Sequence, residues 1–170
     1  MIIPFGTIFP RIDESVFVAE NATLIGNVVL EKGVSVWFNS VLRGDINRIF
    51  VDEMTNIQDG CILHTSTGRS ELLIGKKITI GHNAVVHGCR IKDNVLIGMG
   101  SVILDDAVVN SNSIIAAGSL VKEGFEVPEG VLAAGVPAKV IREVTESEIE
   151  RIAESSVHYS ENAKKYRKSI

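Results

Sequence analysis

The chain has 170 residues, a net charge of −4 at pH 7, 45% hydrophobic and 22% charged residues, and two cysteines. This length suits one domain plus a tail, the acidic balance argues against nucleic acid as the main partner, and no apolar run is long enough to cross a bilayer. Cys61 and Cys89 fit no disulfide framework and the start, MIIPFGTIFPRIDE, has no basic leader or cleavage pattern, so packed thiols in a cytoplasmic protein are expected.

From Val18 onward an aliphatic residue returns every sixth position, at Val18, Leu24, Leu30, Val36 and Leu42, each followed four residues later by a smaller or β-branched residue (Ala22, Val28, Val34, Ser40, Ile46). The beat slips by three to Val51, runs through Ile57 and Leu63, and slips by five to Ile74, which places an excursion within 65–73. It then continues through Ile80 and Val86, loses one residue to Ile91, and resumes at Ile97, Ile103, Val109, Ile115 and Val121. Three such units close a triangular coil of eighteen residues, so the fold class is an all-β solenoid, a parallel β-helix of hexapeptide repeats. Rotation through the faces assigns Leu24, Leu42, Leu63, Val86, Ile103 and Val121 to face A. Leu30, Val51, Ile74, Ile91 and Val109 fall on face B, and Val18, Val36, Ile57, Ile80, Ile97 and Ile115 on face C. Gly26, Gly33, Gly60, Gly75, Gly81, Gly98 and Gly100 are expected at corners in left-handed backbone.

The repeat is expected to stop at EGFEVPEG (123–130), read as a loop, with VLAAGVPAKVIREV closing the coil. Thr145 and Glu148 stand in a capping-box relation and open a C-terminal α-helix that packs through Ile149, Ile152, Ala153, Ser156 and Ala163. The division is a β-helix domain over 1–142, with its lead-in and closing segment, and a packed helix over 143–170.

Three of the four histidines lie within 63–89. His64 and His87 each follow an inward face A residue, so they point outward from the same place on consecutive coils, about 4.8 Å apart, where two imidazoles can converge on one ion. Arg43 occupies the same ladder one coil earlier. His82 lies two residues after Ile80, on face C, and cannot reach the middle of face A of its own chain. It is expected to complete the site from a second subunit in a ring of three, the closure natural to a triangular prism. Trp37 and Phe38, outward on face C in line with Gln58 and Asp59, suggest a buried interface there.

The motifs RGD at 43–45, NIQDGCILH at 56–64 and IGHNAVVHGC at 80–89 closely resemble those of the gamma-class carbonic anhydrases and their short relatives, over nearly the whole chain. The resemblance implies a left-handed parallel β-helix, a homotrimer and a metal at each subunit interface, with His64 and His87 from one chain and His82 from the next. Arg43 and Asp45 would ion-pair at the interface, and Asn56, Gln58 and Asp59 would sit beside the metal. Tyr159 and Asn162 match further pocket positions. The implied reaction is metal-assisted hydration of CO2 to bicarbonate, with Gln58 orienting the attacking or developing oxygen. Zinc suits three imidazole nitrogens, as do iron(II) and cobalt(II). The chain departs from the best-studied form in carrying Ile46 where that form has a glutamate, and its excursion TSTGRSELL has Glu71 as its one acid. Glu53, Glu71 and His158 are the candidates for carrying protons instead.

Two other functions fit the same repeat. Hexapeptide acyltransferases use CoA and share the closing GVPAKVIR pattern, and a catalytically weak metal-binding assembly module would keep the site without efficient chemistry.

Overall fold

The computed structural model describes residues 1–168; Ser169 and Ile170, the end of the expected helical segment, lie outside the described residues. Twenty short strands precede one helix, Glu146–Arg167, among these residues. The inward aliphatic residues stack coil upon coil in the expected register. Leu24 pairs with Leu42, Leu42 with Leu63, Leu63 with Val86, Val86 with Ile103 and Ile103 with Val121. Leu30, Val51, Ile74, Ile91 and Val109 form the second ladder, and Val18, Val36, Ile57, Ile80, Ile97 and Ile115 the third. All of these side chains are buried except Val18, which is half-buried.

The interior can be so uniformly aliphatic because backbone polar groups are satisfied between coils. Val41 N–H donates to the Cys61 carbonyl at 2.8 Å, Ile62 N–H to Ala84 at 3.0 Å and Val85 N–H to Ser101 at 2.8 Å. At the corners the period reappears as side-chain ladders eighteen residues apart, such as Asn21 on Asn39 and Asn94 on Asn112.

Several expectations need correction. The repeat does not stop at 123–130: Glu126–Val127 adds a further strand beside Val108–Val109 and buries Val127. Coiling ends instead in an antiparallel hairpin of Val131–Gly135 with Ala138–Glu143. Ile46 is not an inward residue; it is 43% exposed, and Ile49, paired with Val28, fills that interior place. Gly26, Gly33, Gly60 and Gly100 have positive φ, but Gly75, Gly81 and Gly98 do not. A side chain on Gly98 would stand 2.4 Å from the Ala117 backbone nitrogen, so close approach of coils is what requires glycine there. Asparagines 39, 83, 94 and 112 take several of the left-handed corners instead.

The helix begins with the expected capping box, Thr145 accepting from the Glu148 N–H and Glu148 reaching back to the Thr145 N–H. It folds back over face C, burying Ile152, Ser156, Ser160 and Ala163, while Ile149 and Ala153 are half-buried. Trp37 is 6% exposed because Tyr159 and Tyr166 pack edge-on against it at 5.5 and 5.3 Å between ring centres. Trp37 is therefore buried by the chain's own helix while Phe38, packed on Tyr166, stays half-buried, so the helix accounts for the burial of Trp37 without a second subunit. No helix among the described residues is long and apolar enough to cross a membrane.

Cys61 and Cys89 are both buried and unpaired, and burial pushes the Cys61 thiol up to about 12 and raises the Cys89 thiol as well, so neither is a reactive thiolate at neutral pH.

Leu63→Ala, inside the solenoid, should cost about 3 kcal/mol in a denaturant titration, whereas Ile62→Ala next to it, 41% exposed, should cost less than about 1 kcal/mol. Arg142 beside Glu148, with the Thr145 N–H, holds the Glu148 carboxyl down to about 2. A depressed carboxylate stabilises the fold above its unfolded pKa and loses that contribution as the pH falls toward its folded one. The thermal midpoint of Glu148→Gln should therefore lie below that of the parent at pH 7, and the gap should close between pH 4.5 and 2.

Candidate metal centre

His64 ends the strand Ile62–His64 and His87 ends Val85–His87; the two strands are parallel neighbours in the register Leu63 on Val86 and His64 on His87. Because Leu63 and Val86 are inside, alternation turns both imidazoles to the same outer side. His64 Nδ1 lies 3.0 Å from His87 Nε2. The remaining ring nitrogens are each engaged by a carboxylate: His64 Nε2 is 2.9 Å from Asp45 Oδ1, and His87 Nδ1 is 2.9 Å from Asp105 Oδ1.

A carboxylate only accepts hydrogen bonds, so both of those nitrogens must donate. In the neutral imidazoles the two facing nitrogens are then left with lone pairs pointed at one another, an arrangement relieved by a proton or a metal ion shared between them. Two ligands at about 2.0–2.1 Å from a tetrahedral metal are separated by roughly 3.3 Å, so the observed pair needs only a slight opening to accept one. The donor set and its carboxylate partners fit a divalent metal of the zinc type.

Asp45 is itself held from the other side by Arg43, whose Nη1 donates to Oδ2. Burial works to raise the Asp45 pKa, but the hydrogen bonds from Arg43 and His64 outweigh it and keep the carboxyl below its ordinary value. The arrangement favours the anion of Asp45, which fixes the His64 ring.

His82 follows the strand Thr79–Ile80 on a different edge of the prism, and its Nδ1 lies 2.9 Å from Asp59 Oδ2. Its side chain is 40% exposed. Within one chain it does not join the other two: among the described residues no group of three or more His, Cys, Asp or Glu side chains is arranged to hold a metal. Asn56 and Gln58 are buried on the same edge as His82. Gln58 Nε2 donates to Asn56 Oδ1 at 3.2 Å, Asn56 Nδ2 donates to Thr79 Oγ1 at 2.9 Å, and Thr79 is hydrogen-bonded to Ser155 of the helix at 3.0 Å. Tyr159 stands near the same group, its hydroxyl pKa raised by burial and by the Asp59 charge.

The residues picked out by sequence thus fall into two separate clusters of one chain. Arg43, Asp45, His64 and His87 form one; Asn56, Gln58, Asp59, His82 and Tyr159 form the other. Asn162 is hydrogen-bonded to His158 along the helix at 2.9 Å. Glu53 is tied to Lys76 and Glu71 to Arg48, so none of the three substitutes for a proton carrier is bonded to the paired histidines.

Asp105 was missed by sequence reading, although it lies one coil of eighteen residues beyond His87 and could have been found by that count. The excursion after His64 closes over it. Ser66 donates to Asp105 Oδ2 at 3.1 Å, Arg69 and Ser70 bind Asp106 at 2.8 and 2.6 Å, and Asn47 donates to the Arg69 carbonyl at 2.9 Å.

A family model described as bacterial transferase hexapeptide (six repeats) matches residues 88–123. The chain is 41% identical to a carbonic anhydrase of Geobacillus kaustophilus, over 98% of this chain and 91% of that one. It is 42% identical to gamma carbonic anhydrase 2, mitochondrial, of Arabidopsis thaliana over 92% of this chain, but spans only 61% of the length of that relative. Among solved structures it superposes with a TM-score of 0.97 on a Bacillus cereus protein described as a candidate acetyltransferase, 38% identical, covering 100% of this chain and 98% of that one. With full-length identity of this order, the chain belongs to the gamma-class carbonic anhydrase family of hexapeptide-repeat proteins.

Proposed function

We propose that this protein is a metal-dependent carbonic anhydrase, converting CO2 and water reversibly to bicarbonate at sites shared between the chains of a homotrimer. The observation that carries the reading is the pair of imidazole nitrogens facing each other at 3.0 Å, with a carboxylate on the opposite nitrogen of each ring. The division of the remaining pocket residues onto another edge of the same chain supports completion by a neighbour's second cluster, with His82 as third ligand. Carbonic anhydrase relatives at about 40% identity support the substrate. Zinc is the proposed metal, with iron(II) or cobalt(II) as the alternatives that the same three nitrogens accept. Buried unpaired Cys61 and Cys89 support a reducing, cytoplasmic setting.

When bound, the metal supplies a Lewis acid with an open position at which water becomes acidic enough to react near neutral pH. The chain's own residues provide the rest. Asp45 and Asp105 hold the two imidazoles as acceptors toward the metal. Asp59 does the same for His82 by accepting a hydrogen bond from its Nδ1, leaving Nε2 as the ligand atom. Gln58, oriented by Asn56, supplies an amide on the His82 edge for a developing bicarbonate oxygen, and Tyr159 offers a hydroxyl that stays protonated. Ile46, exposed where the best-studied form has a glutamate, leaves proton removal to solvent and buffer. Turnover should therefore rise with buffer concentration.

One competing reading has an observation in its favour: the close match to the Bacillus cereus protein described as a candidate acetyltransferase suggests acyl transfer from CoA. Thiol release from acetyl-CoA with a panel of amines, by protein that retains no metal, would support that reading and overturn ours. A metal-saturated protein that hydrates CO2 no faster than buffer would instead identify a metal-binding assembly module.

Two measurements test the proposal. Zinc titration of chelator-treated protein should give close to one metal per chain, and His82→Ala should weaken binding by at least about 100-fold, as should His64→Ala. Wild-type affinity in the His82 variant would place the third ligand elsewhere. Stopped-flow CO2 hydration should appear on loading with zinc or, anaerobically, iron(II), and disappear on chelation.

A further inference from the structure

We infer that Asp105 is a positioning residue of the metal site, fixing the tautomer and orientation of His87, and that the excursion after His64 exists in part to hold Asp105 in place. This rests on the metal reading of the paired histidines given above.

The geometry is specific to this acid. Asp105 is 8% exposed, and its two oxygens are divided between His87 Nδ1 at 2.9 Å and Ser66 Oγ at 3.1 Å. Among the described residues no lysine or arginine forms an ion pair with it, in contrast to Asp45, which shares its charge with Arg43. Its neighbour Asp106 faces the loop, binding Arg69 and Ser70, and among the described residues forms no ion pair with a histidine. The close approach is also built into the backbone. A side chain at residue 88 would stand 2.0 Å from Asp105 Oδ1, so Gly88, beside His87, clears the path between carboxylate and ring. A buried carboxylate hydrogen-bonded to an imidazole N–H and a hydroxyl, with Arg69 acting on it only through its longer-range charge, is best balanced when that imidazole shares the charge of a metal on its far nitrogen. The same hydrogen bond commits the ring proton to Nδ1 and leaves Nε2 as the ligand atom.

The test uses the full-length protein with Asp105→Ala, Asp105→Asn and Asp106→Asn. Zinc affinity is read by competition with a chromophoric chelator, and the His87 ring tautomer by nitrogen-15 NMR of the metal-free protein at a pH where the ring is neutral. We expect a loss of affinity of about 100-fold for Asp105→Ala, about 10-fold for Asp105→Asn, and less than about threefold for Asp106→Asn. The parent should show the proton on Nδ1 of His87, and the alanine variant should shift the population toward Nε2. A purely structural role would lower thermal stability in both the Asp105 and Asp106 variants without moving either the tautomer or the order of affinities. Zinc binding by Asp105→Ala within twofold of the parent would overturn the inference. If the alanine variant does not fold, the near-isosteric asparagine variant decides by the same measures. A parent that binds no zinc would refute the metal reading itself, and the inference with it; a parent that binds while Asp105→Ala binds equally would refute the inference alone.

Discussion

The coil-to-coil register of three inward aliphatic ladders is the constraint on which the other features of this molecule depend. Each ladder residue is locked to its neighbour above and below by parallel hydrogen bonding, and a slip of one residue would turn every core side chain out to solvent. Because Leu63 must sit on Val86, His64 must sit on His87, and the two imidazoles meet without any dedicated loop to bring them together. The interruptions in the six-residue beat do the remaining work. Five added residues after His64 make the strap that covers Asp105, and one residue lost after Val86 brings Gly88 and the Asp105 turn close to the His87 ring.

Electrostatics then turns stacked rings into a site. All three histidines of the motif carry a carboxylate on one nitrogen, Asp45 for His64, Asp59 for His82 and Asp105 for His87, each at 2.9 Å. This repeated pairing decides which nitrogen of each ring keeps its lone pair. It also brings negative charge to the second layer around any bound cation, which strengthens the imidazoles as ligands. On our reading the site is divided between edges of the prism because one chain cannot turn face C toward face A, and assembly is the means by which the two clusters meet.

Much of this was legible in the sequence because the hexapeptide pattern encodes burial one residue at a time. All seventeen ladder positions, their assignment to faces and the common register of His64 with His87 follow from counting, and the capping box at Thr145 and Glu148 from spacing. Counting could not say what covers an outward side chain. Trp37 reads as an interface residue because its pattern is the same whether a partner or the chain's own helix packs on it. Nor does counting distinguish a glycine needed for positive φ, as at Gly26, from one needed for close approach, as at Gly98. The strand Glu126–Val127 was hidden by a run of loop-forming residues in which Val127 alone keeps the beat. Asp105 escaped notice because nothing in its local sequence marks it; only the coil period brings it to His87.

The central claim is that a complete site takes His64 and His87 from one chain and His82 from the next. Mixing His64→Ala chains with His82→Ala chains, neither of which should bind zinc tightly alone, tests it most directly. Random association in a closed ring should restore about one quarter of the tight zinc sites in an equal mixture, since each intact site needs an unaltered cluster from each neighbour. Restoration of none, with mixed oligomers formed, would contradict the shared site and place all the ligands within a single chain.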